Sequence, residues 1–135
     1  IPLVDDREEH SVEVRIPTLP VNTGWSFMEL SRRHGDFGIV AVASILFMEN
    51  REACRKASIA LGGVAPTPLR AAAAERILAG RKLTEELIRE AGVEAAGATE
   101  PESDYHASAE YRKDMARVFT QRSLQEAWNK VKGGK

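Results

Sequence analysis

One short run concentrates the side chains in this sequence that could handle charge or protons: Ser31-Arg32-Arg33-His34-Gly35-Asp36. Two adjacent guanidinium groups can neutralise a phosphate or pair with carboxylates, and an imidazole and a carboxylate follow close behind. A solvated loop has the same composition, with Asp36 closing it through local hydrogen bonds. The three histidines, His10, His34 and His106, are dispersed and lack the spacing of a metal-ligand set, so they read as surface residues. Cys54 is the single cysteine. It excludes an internal disulfide framework and a cysteine-based zinc site. With no activating base beside it in an apolar run, it reads as an inert strand thiol. Ser44 and Ser58 have no G-x-S-x-G context. Gly62-Gly63 would let a ligand approach the backbone, but the G-x-G-x-x-G order and the P-loop lysine are missing. A strand-ending bulge or turn is the favoured account of the pair. On the last helical segment Tyr111 reads as core and Arg112 as rim. A hydrolase built on His34, Asp36 and a serine would need a nucleophile in an activating context, and the sequence has none. The residues therefore point to a structural, interface or cofactor-supporting role.

The elements that must position these residues are organised around positions 39–70. An apolar run from Ile39 to Met48, a polar break from Glu49 to Glu52 and a second run from Ala53 to Leu61 predict a β-hairpin. Both faces of its first strand are apolar, so both are expected to be covered, one by helices of this chain and the other by a neighbouring domain or subunit, with a fully internal sandwich giving the same pattern. Upstream, Val12, Val14 and Ile16 alternate as in a half-buried strand, and Pro17 and Pro20 make residues 18–24 a stiff connection. Residues 25–30 predict a short strand. With only 6% aromatic residues in the chain, Trp25 and Phe27 are expected in the core.

Three helical segments come next. Thr67 is expected to cap the first, with Pro68 at its first position and Gly80 just past its end. Thr84 is expected to cap the second, which carries Leu87, Ile88, Ala91 and Ala95 on one face, with Leu83 stapled to Ile88 and with Gly92 and Gly97 as weak points. The third starts within residues 104–108. Its apolar residues form two stripes, Tyr111, Met115, Val118 and Phe119, then Leu124, Ala127, Trp128 and Val131. At about 100° per residue these lie on opposite sides, and Ser123-Leu124-Gln125-Glu126 has a capping-box form, so a break is expected near residues 121–123. Strands first and helices afterwards give an α+β class: a small, mostly antiparallel sheet of three to four strands packed with three to four helices.

Length allows one domain, taken as residues 11–132, with residues 1–10 as a linker or lead-in and residues 133–135 as a frayed tail. A net charge of −1 gives no broad attraction to nucleic acid or to a membrane surface. No apolar run is long enough to span a bilayer, and one cysteine suits a reducing, cytoplasmic compartment. The chain starts with Ile1, which is expected of a piece of a longer or processed chain.

Three ordered stretches carry a family resemblance. The first runs from Thr23-Gly24-Trp25-Ser26-Phe27 through Ser31-Arg32-Arg33-His34-Gly35-Asp36-Phe37-Gly38-Ile39-Val40. The second is Ile59-Ala60-Leu61-Gly62-Gly63-Val64-Ala65-Pro66-Thr67-Pro68-Leu69-Arg70-Ala71. The third is Ser103-Asp104-Tyr105-His106-Ala107-Ser108-Ala109-Glu110-Tyr111-Arg112. Together they resemble the C-terminal domain of the FAD-binding medium subunit of molybdenum hydroxylases, nearer the aerobic carbon monoxide dehydrogenase branch than the xanthine dehydrogenase branch. The resemblance covers residues 12–128. It implies an α+β sandwich that comes after upstream FAD-binding domains, in a complex with an iron–sulfur small subunit and a molybdenum large subunit. It also implies that FAD is held mainly by those upstream domains, whose glycine-rich motifs are absent here, and that the isolated domain binds no cofactor and catalyses nothing. Carried over by position, Arg32, Arg33 and Asp36 become candidates to line a flavin-adjacent loop. Gly38 stands where the family often has alanine. The alternative is a free-standing interaction or dimerisation module, related in architecture to the dimerisation domains of FAD/NAD-linked reductases.

Overall fold

Runs of Val, Ile and Ala between turn signals become strands, and the Ala- and Glu-rich runs become helices. The computed structural model of the protein describes residues 20–31, 39–103 and 107–133. Their order is β1 (Thr23–Leu30), β2 (Val40–Met48), β3 (Ala53–Gly62), β4 (Leu69–Arg70), α1 (Ala72–Leu78), β5 (Arg81–Lys82), α2 (Glu85–Gly97) and α3 (Ala109–Lys132). The expected strand at residues 12–16 lies outside the described residues. Every strand pairing is antiparallel, with β2 between β1 and β3, and with β4 and β5 both on the far edge of β3. The class is α+β, as the sequence predicts.

The hairpin of β2 and β3 forms as expected, with Ser44 opposite Ile59. Its turn is held by Asn50, whose Oδ1 accepts the backbone N–H groups of Glu52 and Ala53 at 2.8 Å each. Alternation decides the faces. Val40, Val42, Ser44, Leu46 and Met48 are buried, whereas the residues between them are half-buried. Helices α1 and α3 lie on the buried face, and α2 packs against both of them. No described element covers the opposite face. Trp25 and Phe27 point to it at 53% and 59% exposure, which overturns the expectation that they sit in the core. The period of β1 explains the reversal: Gly24 and Ser26, one residue out of step with the aromatics, take the inward positions.

Helix α1 starts later than expected. Leu69 and Arg70 pair with β3 instead of opening a helix, and the N-cap residue is Ala71, without a side-chain cap. The Thr67-Pro68 signal is overridden because the β3 edge offers Leu69 and Arg70 hydrogen-bond partners in the sheet. Gly80 does come just past the helix end, at φ 74°. Helix α2 begins as expected, Thr84 accepting the Leu87 N–H at 3.0 Å, and Leu87, Ile88, Ala91 and Ala95 are buried. It also runs through both glycines. Gly92 is where Gln121 of α3 packs against it.

The expected break in α3 is absent. Ser108 caps it, accepting the Tyr111 N–H at 3.1 Å, and it continues for 24 residues. Its buried side is one stripe, Arg112, Ala116, Thr120, Ser123, Ala127 and Val131, with Leu124 and Trp128 beside it. Counting apolar residues alone misses this stripe, because half of its members are polar or charged.

Candidate functional site

The three segments that carry the family resemblance meet at one end of the sheet. At the end of β1, Leu30 accepts the Ile39 N–H at 2.6 Å, so the end of β1 and the start of β2 lie side by side. Beside that point β3 ends at Gly62, and Gly63 turns the chain away with φ 80°. A Cβ on Gly63 would stand 2.3 Å from the Ile39 carbonyl oxygen, so both the backbone angle and the close approach call for glycine here. The stretch before the third segment and the third segment itself close the junction. Just ahead of the third segment, Glu100 donates its N–H to the Val64 carbonyl at 2.9 Å. From α3, Arg112 donates through Nη1 to the carbonyls of Ile39 at 2.6 Å and Gly63 at 3.0 Å.

Gly63, Ala65, Pro66, Glu102 and Arg112 line a depression of about 230 Å³ at this junction. Its charged members are one guanidinium and one carboxylate, a setting for a polar or ionic contact. The candidates Arg32, Arg33 and Asp36, with His34, lie outside the described residues; so do His10 and His106. What is described is the frame from which residues 32–38 emerge.

Other candidates fall elsewhere. Arg112 and Tyr111 exchange their expected roles, since Arg112 is buried and Tyr111 is exposed. Arg112 occupies the inward stripe with Ala116 and Thr120, four and eight residues on, and that spacing is the signal in the sequence that could have placed it. Cys54 is buried, and burial pushes its thiol up to about 11, against a weaker opposing effect of a hydrogen bond with the Lys56 backbone. That is an unreactive thiol. Ser44 is buried with its hydroxyl 2.6 Å from that of Ser123. Ser58 lies on the open face, in a shallow depression of about 390 Å³ shared with Ala43, Ile45, Lys56 and Arg70. Glu75, a buried carboxylate that sequence reasoning passed over, borders this depression. It accepts the Ile59 N–H at 2.8 Å and pairs with Arg70 at 3.0 Å, so it serves the β3 edge between β4 and β5. Among the described residues no group of His, Cys, Asp and Glu could hold a metal ion. None of the described helices is long and apolar enough to cross a membrane.

Residues 25–127 match the CO dehydrogenase flavoprotein C-terminal domain. The chain belongs to this family. The chain is 37% identical over 119 residues to the carbon monoxide dehydrogenase medium chain of Afipia carboxidovorans, a match covering 88% of this chain and 41% of that one. It is 36% identical over 121 residues to the 6-hydroxypseudooxynicotine dehydrogenase complex subunit alpha of Paenarthrobacter nicotinovorans, covering 90% and 41%. Among solved structures, carbon monoxide dehydrogenase from Hydrogenophaga pseudoflava superposes with a TM-score of 0.80 at 34% identity, over 84% of this chain and 39% of that chain. Quinoline 2-oxidoreductase from Pseudomonas putida 86 gives 0.75 at 34% identity, over 81% and 38%. The chain thus spans about two fifths of the length of the curated relatives it matches.

Proposed function

We propose that this chain works as the C-terminal domain of the FAD-carrying medium subunit of a molybdenum hydroxylase of the carbon monoxide dehydrogenase type. It completes the flavin environment and supplies domain and subunit contacts while electrons pass from iron–sulfur centres to an acceptor. The observation that carries this reading is the match to carbon monoxide dehydrogenase medium chains across nearly the whole of this chain and only about two fifths of theirs. Residues 1–10 lead in from the upstream flavin-binding region, and residues 11–132 form the domain. Arg32, Arg33 and Asp36, between β1 and β2 in sequence, are this domain's candidates to tune the flavin's surroundings. The free, buried Cys54 suits a reducing, cytoplasmic compartment.

The described residues fit the flavin as a border. The junction depression, about 230 Å³, is smaller than the roughly 300–1,000 Å³ of pockets that bury a drug-sized ligand. A depression of that size supports a reading in which FAD is held mainly by the upstream domains, with this domain adding charge and shape at one side. On the other side of the sheet fold, the open face with Trp25, Phe27, Ile45 and Phe47 meets the upstream domains of the same subunit. Two titrations test the reading. The 135-residue chain should show no tight FAD binding, whereas the full-length subunit should hold FAD and lose part of its rate of flavin reoxidation when Arg32 and Arg33 are replaced by Ala. Tight FAD binding by the chain alone, with dye reduction, would refute the border role.

The open apolar face also supports a second reading, a free-standing dimerisation module. Sizing decides between them. A concentration-independent dimer of the 135-residue chain, dissociated by Phe27→Asp, favours the module; a monomer favours the subunit domain.

A further inference from the structure

The face of the sheet away from the helices is not uniformly apolar. Strand register lays it out in rows: Trp25, Ile45 and Ser58 in one, Phe27, Ala43, Ala60 and Arg70 in the next. The small residues Ala43, Ser58 and Ala60 thus lie between the aromatic residues of β1 and the cations Lys56 and Arg70, where the surface sinks into the depression of about 390 Å³. Glu75 is the carboxylate among the lining residues, and it is already committed. It accepts the Ile59 N–H at 2.8 Å and the Arg70 Nε–H at 3.0 Å, and its Oε1 stands 3.0 Å from Arg70 Nη2. This pairing takes the side of the guanidinium that carries Nε and holds the group in one orientation. The end that carries Nη1 is left for another acceptor, on a side chain that is 65% exposed.

We propose that this depression seats a carboxylate side chain from the flavin-binding domains upstream in the same subunit. The free end of Arg70 holds it, with Lys56 beside it and the Ser58 hydroxyl as a further donor. The inference rests on the reading above and deepens it, giving the chemistry by which the upstream domains meet this face. Two observations choose the occupant. The first is charge: the lining residues carry two cations, Lys56 and Arg70, against the single carboxylate of Glu75. Strands β1 and β3 are two spacings apart, about 10 Å, less than the width of a standard interface. A surface that covers Trp25 and Phe27 therefore takes Lys56 and Arg70 out of water as well, and that is costly unless the surface brings an anion. The second is length. The chain matches only about two fifths of the carbon monoxide dehydrogenase medium chains, so a subunit of that kind has a large surface of its own to set against this domain.

The test uses the full-length subunit and hydroxyl-radical oxidation of Trp25, read by peptide mass spectrometry against the same residue in the urea-unfolded subunit. FAD content is read alongside. Trp25 is 53% exposed in this chain, so an uncovered face should slow its oxidation about twofold and a covered one about tenfold or more. The parent should show the larger protection. Ser58→Asp sets a second carboxylate in the seat and should reduce protection to the smaller value, since like charges facing each other force the surfaces apart. Ser58→Asn has the same size without the charge and should keep most of the protection. If Ser58→Asp does not fold, Lys56→Glu against Lys56→Gln makes the same comparison from the rim. Equal protection in the charged and neutral variants overturns the proposal. So does protection in the parent that falls on dilution, which would mark a second copy of the subunit on this face. A parent that holds FAD with only the smaller protection overturns the proposal and leaves the functional reading standing. A parent that holds no FAD refutes that reading, and the comparison of Asp with Asn then still decides whether a carboxylate is seated here.

Discussion

The two faces of the sheet are built on opposite rules. The open face carries large aromatic and aliphatic side chains, Trp25 and Phe27 from β1, Ile45 and Phe47 from β2. The covered face mixes Val40, Val42, Leu46 and Met48 with small residues that meet α3 closely, Gly24 and Ser26 on β1 and Ser44 on β2. The helix answers with Ala116, Ser123 and Ala127. Small side chains on both partners let the α3 backbone come almost onto the strands, and dispersion over many close contacts then replaces the area that aromatic side chains would have buried. Size alone is thus a poor guide to what is inside this domain. Closeness of approach is the property that separates the faces.

The largest effect is expected where that closeness is greatest. A Cβ at Gly24 would stand 1.9 Å from the carbonyl oxygen of Ala127, a backbone atom that no side-chain rotation can move. Gly24→Ala must displace α3 and should cost at least about 3 kcal/mol, the upper end of ordinary overpacking. Urea denaturation of the 135-residue chain measures it. An unchanged midpoint would mean that α3 and β1 are not in close contact.

A smaller loss is expected at the polar pair beneath α3. Ser44 and Ser123 face each other 2.6 Å apart and are both buried. Ser44→Ala removes one partner and leaves the other hydroxyl in an apolar setting, at about 1–3 kcal/mol. The Ser44→Ala/Ser123→Ala double variant removes the stranded group as well, so it should be more stable than the sum of the single losses. Strict additivity would show that the hydroxyls do not depend on each other.

Cys54 gives a pH-dependent contrast. Burial pushes its thiol up to about 11, whereas an unfolded thiol titrates near about 8.5. Below the unfolded value both states hold the proton and the contribution to stability is complete. As pH rises between the two values, the unfolded state releases the proton first and stability falls. Cys54→Ala should therefore flatten the decline in unfolding free energy between about pH 8.5 and 11. A parallel decline in both proteins would show that other groups cause it. In the native chain a thiol reagent at neutral pH should react only at the rate of opening.

What can be read from the sequence is local. The β2–β3 hairpin shows in two apolar runs around Asn50, and α2 shows in Thr84 with two glutamates directly after it, because each signal acts within a few residues of itself. The misreadings share a different cause. Thr67-Pro68 has the form of a helix start, but the edge of β3 claims Leu69 and Arg70. Helix α3 has the pattern of a broken helix when Arg112, Thr120 and Ser123 are counted as outward. Polar residues become inward ones when a partner waits for them, and the partners of Arg112 and Ser123 are 49 to 79 positions away. The candidate site is legible in part, as three ordered motifs. Their convergence on Ile39, Gly63 and Arg112 is not, since pairing across such distances leaves no periodic trace in the chain.

The smallest effect on the 135-residue chain is expected at the open face, and it turns the comparison into a test of context. Trp25 gains some support there, from Ile45 opposite it and from Lys130, whose ammonium stands 3.7 Å from the ring centroid and donates to the Trp25 carbonyl at 2.9 Å. Cross-strand pairs and exposed cation–π contacts are each worth less than about 1 kcal/mol. Replacing Trp25 and Phe27 together by Thr keeps strand propensity and removes only half-exposed area, so the unfolding free energy should change by about 1 kcal/mol or less. In the full-length subunit the same double substitution should cost several times more, because the aromatic side chains lose a partner surface as well as their neighbours in the sheet. Equal losses in the two settings would leave this face open to solvent in the subunit also, and the upstream domains would then have to meet this domain at the Ile39–Gly63–Arg112 end alone.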